Sequence, residues 1–201
     1  MRFFRAPLIA RFMFSGGLWK GKDKSAVYLT FDDGPNPKVT PWVLEVLAKH
    51  EIKATFFLVG KNVMQNIHLL RQIEEAGHRI GNHTMNHEKG LKTPLNEYID
   101  AVKEADSVIS TELFRPPYGS LTWRQFSELL KIGKKIVFWT WLSYDFDKTI
   151  SSDKIIVKAK KIRGGDILVF HDSDKSFTNL SACLEKIIYE LKRKNLSFKT
   201  L

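Results

Sequence analysis

Cysteine is almost missing: Cys183 stands alone in 201 residues, so no intrachain disulfide can form and the fold must rest on burial and hydrogen bonding. No run of about 18 apolar residues occurs, so nothing in the chain reads as a membrane-spanning helix. Acids are in deficit, 22 Asp and Glu against 32 Lys and Arg, and the formal net charge is +10. Such a surplus favours polyanionic partners, among them nucleic acid, anionic lipid and acidic glycans. No dense basic block accompanies it. The lysines are spread over Lys20–Lys24, Lys131–Lys135, Lys154–Lys161 and Lys186–Lys194, so a solvated basic surface is the simpler expectation. No nucleic-acid-binding module is visible, and no nucleic-acid partner is expected. Internal repeats, low-complexity stretches and linkers are missing as well.

What is present suits one core. Hydrophobic residues make up 43% and aromatics 12%, enough for a single domain over 1–201 with its core at about 25–195, expected as a monomer. The segment Met1–Trp19 is basic and apolar, carrying Arg2, Phe3, Phe4, Arg5, Leu8, Ile9, Arg11, Phe12 and Phe14. Arg5 and Arg11 interrupt any apolar core of a signal peptide, so none is expected, and the chain is expected in the cytoplasm or at the membrane periphery of a bacterium. The segment is expected to pack across one end of the domain, with peripheral contact to a membrane surface as the alternative.

Strand and helix patterns alternate. Val27–Phe31, Ala54–Val59, Arg79–Gly81, Leu113–Arg115, Ile136–Leu142 and Ile167–Phe170 read as short buried strands, with Ser197–Leu201 as a last one. Between them lie helical patterns at Val39–His50, Val63–Ala76 closed by Gly77, Pro94–Ser110 capped by Thr93, Thr122–Ile132 and Ser151–Ile162. Phe177–Lys194 is the clearest helix, with Leu180, Cys183, Leu184, Ile187, Ile188 and Leu191 on a 3.6-residue period. Roughly seven β–α units of this kind imply an α/β fold with a parallel sheet, either a small incomplete barrel or an open doubly wound sheet.

Unusual polar residues cluster just after the expected strands: Asp32–Asp33, His83–His87, Arg115–Gly119, Tyr144–Asp147 and His171–Asp172. In a parallel α/β barrel those points share one end, where active sites are built. Asp32 and Asp33 in extended chain point opposite ways and can divide metal binding from proton transfer; a plain Asp-Gly-Pro turn is the alternative. His83 and His87, at i and i+4, would project to one side of a helical turn and could bind one metal, unless both are surface histidines. With a carboxylate they make a His₂Asp set that leaves coordination positions open, as a catalytic site requires. Pro116 and Pro117 fix the backbone beside Tyr118, where a rigid N–H could stabilise an oxyanion; the alternative is a stiff loop with an exposed Arg. His171 could act as a general acid tuned by a carboxylate, or be structural.

These residues resemble carbohydrate esterase family 4, the NodB-homology polysaccharide deacetylases, over about Val27 to Leu191. Thr30-Phe31-Asp32-Asp33-Gly34 is similar to the family's first motif, His83-Thr84-Met85-Asn86-His87 to its second and Arg115-Pro116-Pro117-Tyr118 to its third. The resemblance implies a distorted, incomplete (β/α) barrel with about seven parallel strands. It implies Asp32 as general base, with Asp33, His83 and His87 holding one divalent metal, commonly zinc, with cobalt, manganese or nickel as substitutes. It further implies Tyr118 with Pro117 at the oxyanion and substrate side, Arg115 orienting Asp32, and His171 as general acid. The fourth motif departs: Tyr144 stands at its first Asp position, Asp147 at its second and Lys148 at its Trp position, with Asp145 offset by one. Alignment favours Asp147 over Asp145 as the tuning carboxylate. The fifth appears as Val169-Phe170-His171.

The activity so implied is hydrolytic removal of N-linked acetyl groups from amino sugars of a poly- or oligosaccharide, with an N-acetylated glycan as partner. Rival readings are an O-acetyl esterase on xylan, an amidase on a small cyclic amide, and a carbohydrate-binding protein whose catalysis has decayed.

Overall fold

Seven buried residues in a row, Ala26–Asp32, make β1 the centre of the sheet, because only a strand covered on both faces can be buried throughout. In the computed structural model, which describes residues 4–201, β1 is flanked by β2 (Thr55–Leu58) and β7 (Ile167–His171), both fully buried. Beyond β2 lie β3 (Arg79–Asn82), β4 (Leu113–Phe114) and β5 (Lys135–Ile136); beyond β7 lies β6 (Trp141–Leu142). The order is β5-β4-β3-β2-β1-β7-β6, all parallel, and β8 (Ser197–Phe198) pairs with the start of β1. This is a curled, incomplete barrel of seven parallel strands, as expected; the open-sheet reading falls.

The expected strand Ile136–Leu142 does not exist as one element. Its two ends lie on opposite edges of the sheet, β5 on β4 and β6 on β7, and residues 137–140 cross the gap between them. Leu18 wedges into that crossing, taking a hydrogen bond from Phe138 N at 2.9 Å and donating to Ile136 O at 2.8 Å. A continuous apolar run therefore closed the barrel instead of adding a straight strand. The expected helix Val63–Ala76 is likewise two, α3 (Gly60–Gln65) and α4 (Ile67–Glu75). Asn66, at φ −138°, leaves the helical region between them. Gly77 follows α4 at φ +75°, the left-handed position that glycine occupies most easily.

The remaining helices pack on the outside: α2 (Val39–Lys49), α5 (Leu95–Asp106), α6 (Trp123–Lys131), α7 (Ser152–Ala159) and α8 (Phe177–Arg193). Thr93 does not cap α5, which starts behind Pro94 without a side-chain cap, whereas Thr122 and Gln125 form a reciprocal capping box on α6. The N-terminal segment packs as expected. Phe4 and Phe14 are buried, Leu142 N donates to Phe4 O, and a short helix α1 (Leu8–Met13) lies between. Arg2 and Phe3 lie outside the described residues.

Candidate active site

Asp32 ends β1 in register with His171 at the end of β7. Behind it lies Arg115, fully buried just beyond β4. Its Nη1 donates to Asp32 Oδ1 and to Thr30 Oγ1, each at 2.6 Å, its Nη2 to Phe138 O at 3.2 Å, and its guanidinium lies 4.0 Å from the Phe57 ring centre. A cation this deep stays charged only because a carboxylate and carbonyls replace its lost water. The alternative of an exposed Arg in a stiff loop is thereby removed.

The next carboxylate does not point the opposite way. Asp33 has φ +80°, so the chain turns at that residue and both carboxylates line one cavity. His83 and His87 also arrive by a route the spacing did not suggest. No helical turn carries them; Thr84 at φ +64° and His87 at φ +62° bend a loop after β3 until the rings lie 5.0 Å apart. Asp33 Oδ1 lies 3.1 Å from His87 Nε2 and 3.8 Å from His83 Nε2, and one ligand atom from each residue fits within 4.8 Å of the others.

The donor chemistry of these three residues suits a divalent cation. His83 Nδ1 lies 2.7 Å from the Arg115 carbonyl, which can only accept, so Nδ1 carries the proton and Nε2 offers a lone pair towards Asp33. Burial pushes His83 down to about 4, which keeps the ring neutral near pH 7, the form that ligates. Burial opposes ionisation of Asp33, but the hydrogen bond to His87 and the neighbouring imidazoles outweigh it and hold the carboxyl well below its usual range. Lys175 Nζ lies 3.3 Å from the other oxygen of Asp33.

Across the cavity, His171 Nδ1 lies 2.7 Å from Asp145 Oδ1, and His171 N donates to Asp145 Oδ2 at 2.9 Å. Burial disfavours the imidazolium, yet the Asp145 charge and hydrogen bond prevail, and the pKa is pushed up to about 9. The carboxylate that the structure sets against His171 is thus Asp145, whereas the Asp147 carboxylate accepts from Thr149 N and Oγ1. The physical reason is Tyr144, at φ +58°: the chain reverses there, and Asp145 is swung onto β7 two residues earlier than alignment suggests. Ser143 Oγ, 2.8 Å from Asp145 Oδ1, fixes that reversal, and the short Ser-x-Asp spacing was the readable signal.

Tyr118 sits in a tight turn, Pro117–Gly119, at φ +60°, with its ring 4.7 Å from that of His87. It lines a cavity of about 260 Å³ together with Asp32, Asp33, His83, His87 and His171. Pro117 is buried beneath that turn. The opposite wall is apolar: Trp139, Leu142, Phe146 and Val169. Sequence reasoning missed these and Lys175. Trp139 lies in the crossing read as strand, and Lys175 sits in a loop that no periodicity describes. The turn after Asp33 has its own constraint: a Cβ on Gly34 would come within 2.2 Å of the buried Asp172 carboxylate.

Residues 20–137 match the family described as Polysaccharide deacetylase. A peptidoglycan-N-acetylglucosamine deacetylase of Bacillus cereus is 34% identical over 186 residues, which cover 89% of this chain and 87% of that protein. A chitooligosaccharide deacetylase of Bradyrhizobium sp. is 36% identical over 159 residues, 73% and 70% of the two chains. Among solved structures, the Bc1960 peptidoglycan N-acetylglucosamine deacetylase superposes with a TM-score of 0.88 at 31% identity, over 92% of this chain and 91% of that one. With a family match over more than half its length and relatives above 30% identity along most of it, the chain belongs to the polysaccharide deacetylases of carbohydrate esterase family 4.

Proposed function

We propose that the chain is a metal-dependent N-deacetylase of glycans built from N-acetylated amino sugars, of the peptidoglycan or chitin-oligomer type, and that it releases acetate. The observation that carries this reading is the convergence, on one cavity, of a His₂Asp donor set between two differently supported groups, the Arg115-held Asp32 and the Asp145-held His171. A binding protein has no use for that arrangement.

Asp33, His83 and His87 would hold the cation. When bound, a zinc ion, or cobalt, manganese or nickel in its place, supplies Lewis-acid polarisation of the acetyl carbonyl and makes water a better nucleophile near pH 7. Arg115 engages Oδ1 of Asp32 and fixes the orientation of the carboxylate, so its other oxygen takes the proton of the attacking water. As the hydroxyl oxygen bonds to the acetyl carbon, negative charge moves to the carbonyl oxygen, where the Tyr118 backbone N–H donates to it. His171, held protonated by Asp145, gives its proton to the sugar nitrogen as the C–N bond breaks. Free amine and acetate result. The apolar wall of Trp139, Leu142, Phe146 and Val169 receives the acetyl methyl and keeps bulk water from the reacting carbon.

The role of Asp145 has a pH signature. A raised His171 pKa keeps the acid charged until the pH climbs towards about 9. Asp145→Asn removes the attractive charge, so the pKa falls and the proton is lost at lower pH. The alkaline limb of the kcat/KM profile is expected to move acidward in the variant, and an unmoved limb would assign the acid elsewhere.

The reading as a whole is tested by acetate release from N-acetylglucosamine oligomers and peptidoglycan, against acetylated xylan and small cyclic amides, with and without added Zn²⁺, Co²⁺ or Mn²⁺. Metal-dependent release from the amino-sugar polymers is expected. Turnover confined to xylan would make the chain an O-acetyl esterase, turnover confined to cyclic amides a small-molecule amidase, and no turnover with any metal a binding protein.

A further inference from the structure

Helix α1 buries none of its residues. Leu8, Ile9, Phe12 and Met13 are 77%, 70%, 85% and 55% exposed. At about 100° per residue these positions share an arc of roughly 140°, a single face. Ala10, on the other side, lines a groove with Trp139, Tyr118 and Leu142. A surface helix ordinarily turns its apolar stripe to the core; this one turns a small residue inward and its bulk outward. The arrangement is fixed by the fold. Phe4 and Phe14 are buried on either side of the helix, Leu142 N donates to Phe4 O at 2.9 Å, and Ala6 N donates to Thr140 O at 3.2 Å.

The surroundings are basic. Arg11 lies on the helix itself, and Arg5 precedes it. Arg5 Nη1 and Nη2 reach Asp166 at 2.9–3.1 Å, and Arg5 Nη1 also reaches the Lys161 carbonyl at 3.4 Å. Lys20 approaches the same Asp166 at 3.7 Å, and Arg163 N donates to it. Asp166 is fully buried, and the basic side chains that meet it are those of Arg5 and Lys20, while Lys161 and Arg163 take part only through backbone atoms and Arg11 adds a further charge on the helix itself.

We propose that α1 is an interfacial helix that docks the enzyme on an anionic lipid surface. An apolar face rimmed by bases is the pairing that lies in the headgroup layer, where burial and attraction to anionic lipid act together. A second copy of the chain fits less well, because a twofold contact through this face would set Arg5 and Arg11 against their own counterparts. Docking has a consequence for the active site. The groove behind Ala10 shares Tyr118, Trp139 and Leu142 with the catalytic cavity, so the helix would hold the cavity mouth beside the headgroups, within reach of glycans carried at the membrane surface.

The test is co-sedimentation of the full chain with vesicles of phosphatidylglycerol and phosphatidylcholine in equal parts, against phosphatidylcholine alone. Binding to the anionic vesicles that weakens with salt is expected, and the double variant Leu8→Glu, Phe12→Glu should lose at least ~10-fold in affinity. Both side chains are exposed, so the variant should keep its thermal melt and its acetate release from a soluble oligomer. Lack of sedimentation with anionic vesicles would overturn the proposal, as would equal sedimentation of the double variant. Concentration-dependent self-association, abolished by the variant and unaccompanied by vesicle binding, would assign the face to a second copy instead. None of these outcomes depends on the chain's substrate, so they stand or fall separately from the deacetylase reading.

Discussion

Asp32→Asn is expected to lower kcat by ~10²–10⁴-fold, the range over which a positioned base acts, while the protein still takes up one divalent ion per chain. Asparagine keeps the shape of aspartate but cannot accept the proton of the attacking water. The donor atoms of Asp33, His83 and His87 are untouched, so metal content and catalysis should come apart in this variant. Stability should fall too, because the charge of Arg115 loses its counter-ion in a fully buried place. Breaking a buried pair costs about 3–5 kcal/mol. Here the loss should sit at the low end, since Thr30 Oγ1 and the Val137 and Phe138 carbonyls still accept from the guanidinium. Acetate release, elemental analysis and a denaturant melt on one preparation read all three effects. Near-full turnover would place the base at another residue, and loss of the metal would make Asp32 a ligand instead.

Arg115 joins the two halves of this site. Its guanidinium holds the carboxylate of Asp32, and its carbonyl holds the ring of His83. One buried residue thereby fixes the orientation of the Asp32 carboxylate and the tautomer of the His83 ring. Substituting Arg115 would disturb both functions at once, which makes it a poor probe of either.

Much of this was legible in the sequence because strand ends are legible. β1, β2 and β7 are runs of buried residues bounded by turns, and the polar residues that follow them fall at one end of the sheet by geometry alone. What escaped was backbone conformation in the connections. Asp33, Thr84, His87, Tyr118 and Tyr144 all take positive φ without being glycine, and no residue pattern announces that. Those turns bring Asp33 to the same side as Asp32, replace the expected helical turn under His83 and His87, and select Asp145 over Asp147. The split of Ile136–Leu142 was invisible for a different reason. An apolar run reads the same whether it lies in a sheet or bridges two of its edges, and Leu18, whose hydrogen bonds hold the crossing, is more than a hundred residues away in sequence.

His83→Ala should abolish both metal uptake and turnover, and its reach differs from that of Asp32→Asn. The His83 ring is buried, its Nδ1 is engaged by the Arg115 carbonyl, and its Nε2 has one direction left, towards Asp33. Without it, Asp33 and His87 remain 3.1 Å apart as a two-residue pair on the open side of the cavity, and Lys175 lies 3.3 Å from the same carboxylate as a competing cation. Two ligands opposed by an ammonium group should hold a divalent ion far more weakly than three. In the wild type, an ion present at 1,000 times its dissociation constant stabilises the fold by about 4.1 kcal/mol. A thermal melt with and without Zn²⁺ should therefore show a rise in Tm for the wild type and almost none for His83→Ala, alongside kcat at the level of the chelated enzyme. An unchanged Tm rise in the variant, with one ion still bound per chain, would show that the cation sits elsewhere, and the mechanism built around Asp33, His83 and His87 would go with it.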